Sequence, residues 1–166
     1  VRNANDEEKI KTLDGKEYTL DSSMMVIADT KKSLAIAGIM GAVNSEVDFN
    51  TNSIIIEAAS FKSTSIRKTS KSLSLSTDSS YRFERKTDLN SIKYAISRAS
   101  DLILELAKGS YSGINIEIGS NEKEINAISF SPDALIDFIG FYIEYKEIEK
   151  IFCSLGFKVS KSDENN

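Results

Sequence analysis

The chain has 166 residues, 40% hydrophobic and 28% charged, with a net charge of −4, a composition typical of ordinary globular domains. With one cysteine and no histidine, an internal disulfide is excluded, and neither a zinc site nor a serine/histidine or cysteine/histidine couple can be assembled from this chain alone. The mild negative charge gives no global case for nucleic-acid binding, so any RNA contact needs a local basic patch or a neighbouring module, and no apolar run approaches membrane-spanning length.

Val1-Arg2-Asn3 carries neither a signal-peptide pattern nor an initiator methionine, so the chain reads as cytoplasmic and as a piece of something longer. Residues 9–13 and 17–20 flank Asp14-Gly15-Lys16, turn chemistry that predicts a β-hairpin. Two short apolar runs at 24–28 and 34–37, separated by polar Asp29-Thr30-Lys31-Lys32-Ser33, predict neighbouring strands. Gly38-Ile39-Met40-Gly41-Ala42 follows directly. Its paired glycines fit either a tight turn or the floor of a pocket, and the lysine of a phosphate-cradling loop is missing.

Residues 53–59 contain Ile54, Ile55 and Ile56 in succession, which predicts a strand apolar on both faces and central in a sheet. Alternation puts Glu57 on the face of Ile55 and Ala59, as either an exposed strand terminus or a working carboxylate. A helix is expected over 61–73, where Lys62, Arg67, Lys68 and Lys71 form a basic stretch; such a face is either solvated or available to RNA phosphates.

The segment 73–88 interleaves apolar, hydroxyl and charged residues with no single period. Thr77-Asp78-Ser79-Ser80 puts oxygen-bearing side chains on four consecutive residues, and Tyr81-Arg82-Phe83-Glu84-Arg85 alternates aromatic with charged. Local chemistry allows a hydroxyl-rich helix cap followed by a short edge strand, or a binding loop. From residue 89 the pattern sharpens: Ile92, Ala95, Ile96, Ala99, Leu102, Ile103 and Leu106 recur along one helical face. A helix over 89–107, capped by Asp88, stopped by Gly109 and packed on a sheet, is expected.

Residues 109–119 change composition and suggest a boundary near 113, followed by a short strand through Ile114, Ile116 and Ile118. Residues 125–130 read as a strand, Ser131-Pro132 as an N-cap with proline at the first helical position, and 133–139 as a short helix ended by Gly140. Ile148, Ile151, Phe152 and Leu155 make a second stripe, stopped by Gly156 before apolar Phe157 and Val159; Cys153 within it reads as a buried structural thiol. The tail 158–166 reads as frayed. The fold class expected is α/β to α+β: a mixed β-sheet packed with a long amphipathic helix over 1–113, then part of a small α+β helical nucleic-acid-binding-like module over 114–166.

The run Leu75-Ser76-Thr77-Asp78-Ser79-Ser80-Tyr81-Arg82-Phe83-Glu84-Arg85 resembles a segment of bacterial phenylalanyl-tRNA synthetase beta chains: leucine-arginine-threonine, an acid, alanine-serine, any residue, then arginine-phenylalanine-glutamate-arginine. The match continues through Val26-Ile27-Ala28-Asp29, Ala35-Ile36-Ala37-Gly38-Ile39-Met40-Gly41, Asn44-Ser45-Glu46-Val47 and Ile56-Glu57-Ala58-Ala59-Ser60-Phe61, in the family's order and spacing. A weaker match covers 128–159.

This resemblance implies an internal piece of the beta chain of a tetramer of two alpha and two beta chains, which joins phenylalanine to its tRNA using ATP and magnesium. The aminoacylation site lies in the alpha chain, so no catalytic residue, metal ligand or bound cofactor is assigned here. Residues 1–113 would be the later part of the editing module, which hydrolyses tyrosine wrongly attached to the tRNA, and 114–166 the start of the following module. By position, Glu57 would accept a hydrogen bond from the tyrosyl hydroxyl, Gly41 would keep the pocket wall small, and Thr77 and Ser79 would line the site. The alternative is a non-catalytic assembly or tRNA-docking piece with editing lost. Three departures stand out: Ser79 replaces the family's alanine, Lys86 and Leu89 replace its glycine and proline, and the histidine that the family contributes to the pocket from upstream of residue 1 has no counterpart in this sequence.

Overall fold

A computed structural model describes residues 1–119 and 126–160, and the chain divides into two compact units, Val1–Glu122 and Lys123–Asn166. The first unit holds all the strands found among the described residues. Strand β1 (Arg2–Asn3) pairs with β4 (Met25–Ala28), β4 with β5 (Ser33–Ile36), and β5 with β6 (Met40–Gly41), giving a four-stranded sheet of order β1-β4-β5-β6. The expected hairpin forms from β2 (Glu8–Lys11) and β3 (Glu17–Leu20), with Gly15 at φ +81° in its turn. Every pairing is antiparallel, so the sheet is not the mixed one expected: each tight connection returns the chain beside the strand it left. A single bridge, Thr12 to Ala42, joins hairpin to sheet.

Between them lies a core of Ile10, Leu20, Met24, Val26, Ile36, Ile39 and Ala42, closed by Ile66 and Leu75. Each fully buried aliphatic side chain here contributes ~1.5–3 kcal/mol relative to exposure. At the edge, Arg2 holds Glu8 bidentately with two 2.8 Å bonds, the Asn5 N–H donates to the same carboxylate at 2.8 Å, and the Ser33 hydroxyl also donates to it. That cluster ties β1, β2 and β5 together. It holds the Glu8 carboxyl down to a pKa of about 2, chiefly through the Arg2 hydrogen bond.

Helix α1 (Ser63–Ser72) turns Ile66 and Thr69 inward and leaves Arg67, Lys68 and Lys71 exposed. The segment after it is helical where an edge strand was one expectation: Thr77 caps α2 (Asp78–Phe83) in a reciprocal capping box with Ser80. Two reciprocal cap bonds and a buried Ser80 outweigh the period-2 pattern of 81–85. Helix α3 (Ser91–Ala107) covers the expected span, but none of its residues is buried, and Tyr94 and Leu106 are about three-quarters exposed. Asn90 rather than Asp88 is its N-cap, because the Asp88 carboxylate turns to the Asn90 N–H at 3.0 Å; Lys108 at φ +52° ends it in place of Gly109.

In the first unit two expected strands are absent. Residues 51–62 run extended with no ladder, leaving Ile54 half exposed and Ile55 fully so, and Ile114, Ile116 and Ile118 are likewise outside any strand and exposed. Neither segment has a strand beside it among the described residues, and alternation without a partner makes no sheet.

The second unit follows its sequence signals more closely. Ser131 accepts a 3.3 Å bond from the Ala134 N–H and caps α4 (Pro132–Ile139), which ends at Gly140 with φ +79°. In α5 (Tyr145–Ser154) Ile148 is buried, and Phe152 meets Phe130 and Phe157 edge-on at 5.0 and 5.8 Å. Cys153 is exposed rather than buried, a correction to the reading of a structural core thiol. Residues 126–130 and 157–160 form no strand; residue 125 and the tail from 161, both given expectations above, lie outside the described residues.

Candidate functional site

The β5–β6 turn, the extended segment after residue 50, and the N-termini of α2 and α3 converge on one open cleft of about 860 Å³. Gly41, Glu57, Thr77 and Ser79, spread over 39 positions of sequence, all line it, with Leu13, Phe61 and Ile92 among its apolar surfaces.

Gly38 sets the turn at φ +68°, and a Cβ there would lie 2.8 Å from both the Ile66 and Phe61 side chains. The turn is therefore pressed onto α1 and the extended segment, and only glycine fits both the angle and the space. At Gly41 a Cβ would meet the Leu13 Cδ1 at 3.2 Å, so a larger residue there would have to displace the exposed Leu13 side chain. The extended segment is fastened at its far end: Phe61 packs edge-on against Phe83 with ring centroids 4.9 Å apart, and the Thr87 hydroxyl donates to the Ser60 hydroxyl at 3.2 Å.

Thr77 is a positioning residue. Its hydroxyl donates to the Ile39 carbonyl at 2.8 Å and accepts from the Ser80 N–H at 3.0 Å. Both capacities are used, so it welds the start of α2 to the glycine turn and offers no proton of its own. Two positions on, the partly exposed Ser79 hydroxyl has no hydrogen-bond partner among the described residues.

Four carboxylates line the cleft, and they differ in what holds them. Asp14 accepts from Thr12, the Lys16 N–H and Tyr18, a set led by the Thr12 bond that lowers its pKa. Asp88 is engaged by Asn90, and Asp78 stands in the first turn of α2, where negative charge complements the helix dipole. The Glu57 carboxyl has its pKa raised, because the surrounding protein partly desolvates it. Its side chain keeps an open path to solvent, and no hydrogen bond or ion pair to it exists among the described residues. An acceptor that is unpaired and exposed in a cleft is suited to a donor arriving with a ligand.

Sequence reasoning missed Leu13, which covers Gly41, and Asp14 as a cleft residue. The Thr12-x-Asp14-Gly15-Lys16-x-Tyr18 spacing, which fixes Asp14, was a usable signal. Among the described residues no group of three histidine, cysteine, aspartate or glutamate side chains is gathered to hold a metal ion, and no helix is long and apolar enough to cross a membrane.

Comparison with known proteins agrees with the resemblance carried by the motifs. The chain is 44% identical over 160 residues to the phenylalanine–tRNA ligase beta subunit of Carboxydothermus hydrogenoformans, covering 96% of this chain and 20% of that protein. It is 42% identical over 157 residues to the beta subunit of Protochlamydia amoebophila, covering 95% and 20%, and 39% identical over 160 residues to that of Geobacter metallireducens, covering 96% and 20%. The chain thus spans about one fifth of the length of these relatives. The B3/4 domain matches residues 1–108, and the chain belongs to the B3/4 domain family.

Proposed function

We propose that this chain is a part of a phenylalanine–tRNA ligase beta subunit, and that its cleft contributes most of a pocket that hydrolyses tyrosyl-tRNA. The observation that carries this is the unpaired Glu57 carboxylate, exposed in the same cleft as Gly41, Thr77 and Ser79. Phenylalanine and tyrosine differ by one hydroxyl, which an apolar synthetic site rejects only modestly, whereas a second site built to bind that hydroxyl discriminates strongly. Glu57 accepts a charge-assisted hydrogen bond from that hydroxyl; phenylalanine would leave the carboxylate desolvated and unpaired.

Hydrolysis rests on placing a water beside the ester, assisted by the tRNA's terminal hydroxyl. Thr77 contributes by fixing the wall, and Ser79 adds an uncommitted hydroxyl to it. Aminoacylation, with its ATP and magnesium, is assigned to the alpha chain, and the partners are that chain, a second beta chain and the tRNA for phenylalanine, in the cytoplasm. Residues 114–166 are assigned to the start of a nucleic-acid-binding-like module.

The test is deacylation of tyrosyl-tRNA by the complete alpha and beta assembly. Hydrolysis of tyrosyl-tRNA well above that of phenylalanyl-tRNA is expected. Normal phenylalanine charging without tyrosyl-tRNA hydrolysis would leave the assembly or docking role in its place.

A further inference from the structure

We propose that a second, lysine-lined cleft beside the candidate site holds the phosphate backbone of the tRNA; this rests on tRNA being the partner. This cleft, about 410 Å³, is formed by β2, the turn before β5, and the 3₁₀ turn Val43–Ser45. Lys9, Lys11, Lys31 and Lys32 line it with Asn44, and its one lining carboxylate, Glu8, is consumed by Arg2 and Ser33.

All four lysines are exposed. Lys9 pairs with Glu17 at 3.4 Å, and Lys32 is near enough to Asp29 to help lower that carboxyl's pKa; Lys11 and Lys31 have no ion pair among the described residues. Asp29 fixes the turn itself, accepting from the N–H groups of Lys31 and Lys32 at 2.6 and 2.8 Å. The lysines therefore project from a braced backbone in a chain whose net charge is −4. A concave cationic surface on an acidic protein marks a local anion partner, and repeated point charges without an aromatic platform suit phosphates rather than bases.

Position supplies the second argument. Lys11 and Val43 line the basic cleft, Leu13 and Gly41 line the candidate site, and only the Thr12–Ala42 bridge lies between. Two residues along an extended strand span roughly 7 Å, so a strand whose 3′ end enters the site passes the lysines at once. The exposed Arg67, Lys68 and Lys71 on α1 line neither cleft and provide the comparison.

The experiment uses the complete alpha and beta assembly with Lys11→Ala, Lys31→Ala and Lys32→Ala combined. It reads binding of uncharged tRNA against salt, and the KM and kcat of tyrosyl-tRNA deacylation. Affinity should fall about tenfold or more, the slope of log affinity against log salt should shrink by about 2, and KM should rise with kcat kept. Unchanged affinity and slope, or an equal loss from Arg67→Ala, Lys68→Ala and Lys71→Ala combined, would overturn it. So would weakened subunit assembly with an unchanged salt slope, which points to an acidic protein segment instead. Because uncharged tRNA reports on the cleft alone, absent hydrolysis with the expected binding loss would reject the editing role and keep the cleft.

Discussion

Ile36 on β5 is 1% exposed and Ile55 in the extended segment 99% exposed, although both sit in runs whose alternation and β-branching suit a strand. Ile36 has β4 on one side and β6 on the other, and the hairpin across its face. Residues 51–62 have no ladder at all; at their far end Ser60 and Phe61 meet Thr87 and Phe83. The difference teaches that an apolar run specifies how it would be buried, while burial itself depends on a partner elsewhere in the chain. It also separates the roles of the two regions: the sheet is the scaffold, and the less fastened segment carries Glu57.

The sharpest way to break this contrast is to truncate both isoleucines. Ile36→Ala should lower unfolding stability by about 2–5 kcal/mol through lost burial and a cavity, and Ile55→Ala by less than about 0.5 kcal/mol. Denaturant titrations of this chain measure both, and equal losses would mean that residue 55 is buried in solution.

The edge of the scaffold should respond to acid. Glu8 titrates at about 2 rather than 4.5, so its stabilisation is present above the unfolded value near 4.5 and is lost as pH falls through about 2. The shift caps the contribution at about 3 kcal/mol, and the part-exposed Arg2 reduces this to about 2 kcal/mol. Glu8→Gln should cost that amount at pH 7 and little at pH 2, read by urea titrations at both values; a pH-independent cost would exclude charge as its source.

A smaller effect concerns the turn between α2 and α3. Lys86 sits at φ +69°, in the left-handed region where a side chain costs ~1–2 kcal/mol, partly offset in glycine by its freer unfolded chain. Lys86→Gly should stabilise by about 0.5–1 kcal/mol in the same titrations, and destabilisation would show that the lysine makes compensating contacts.

What was legible in the sequence tracks these distinctions. The Asp14-Gly15 hairpin, the Ser131-Pro132 cap and the Gly140 stop are local devices, complete within a few residues, and each formed as read. Helix α2 was obscured because Thr77 and Ser80 close its capping box without the usual glutamate or glutamine at the third position. The strand readings at 53–59 and 114–118 needed partners that local pattern cannot supply, as did the packing of α3. Of the site, the residues carried by the motif match share one cleft, whereas Leu13 and the cap role of Thr77 follow from tertiary placement.

The most direct test of Glu57 as reader of the tyrosyl hydroxyl is Glu57→Ala in the complete assembly, following tyrosyl-tRNA and phenylalanyl-tRNA deacylation beside aminoacylation. Loss of a charge-assisted hydrogen bond of about 1.5–3 kcal/mol should slow tyrosyl-tRNA hydrolysis roughly ten- to hundredfold. Phenylalanine charging should hardly change, and phenylalanyl-tRNA hydrolysis should rise as the unpaired carboxylate is removed. Unchanged tyrosyl-tRNA hydrolysis in a folded mutant that charges tRNA normally would contradict that role.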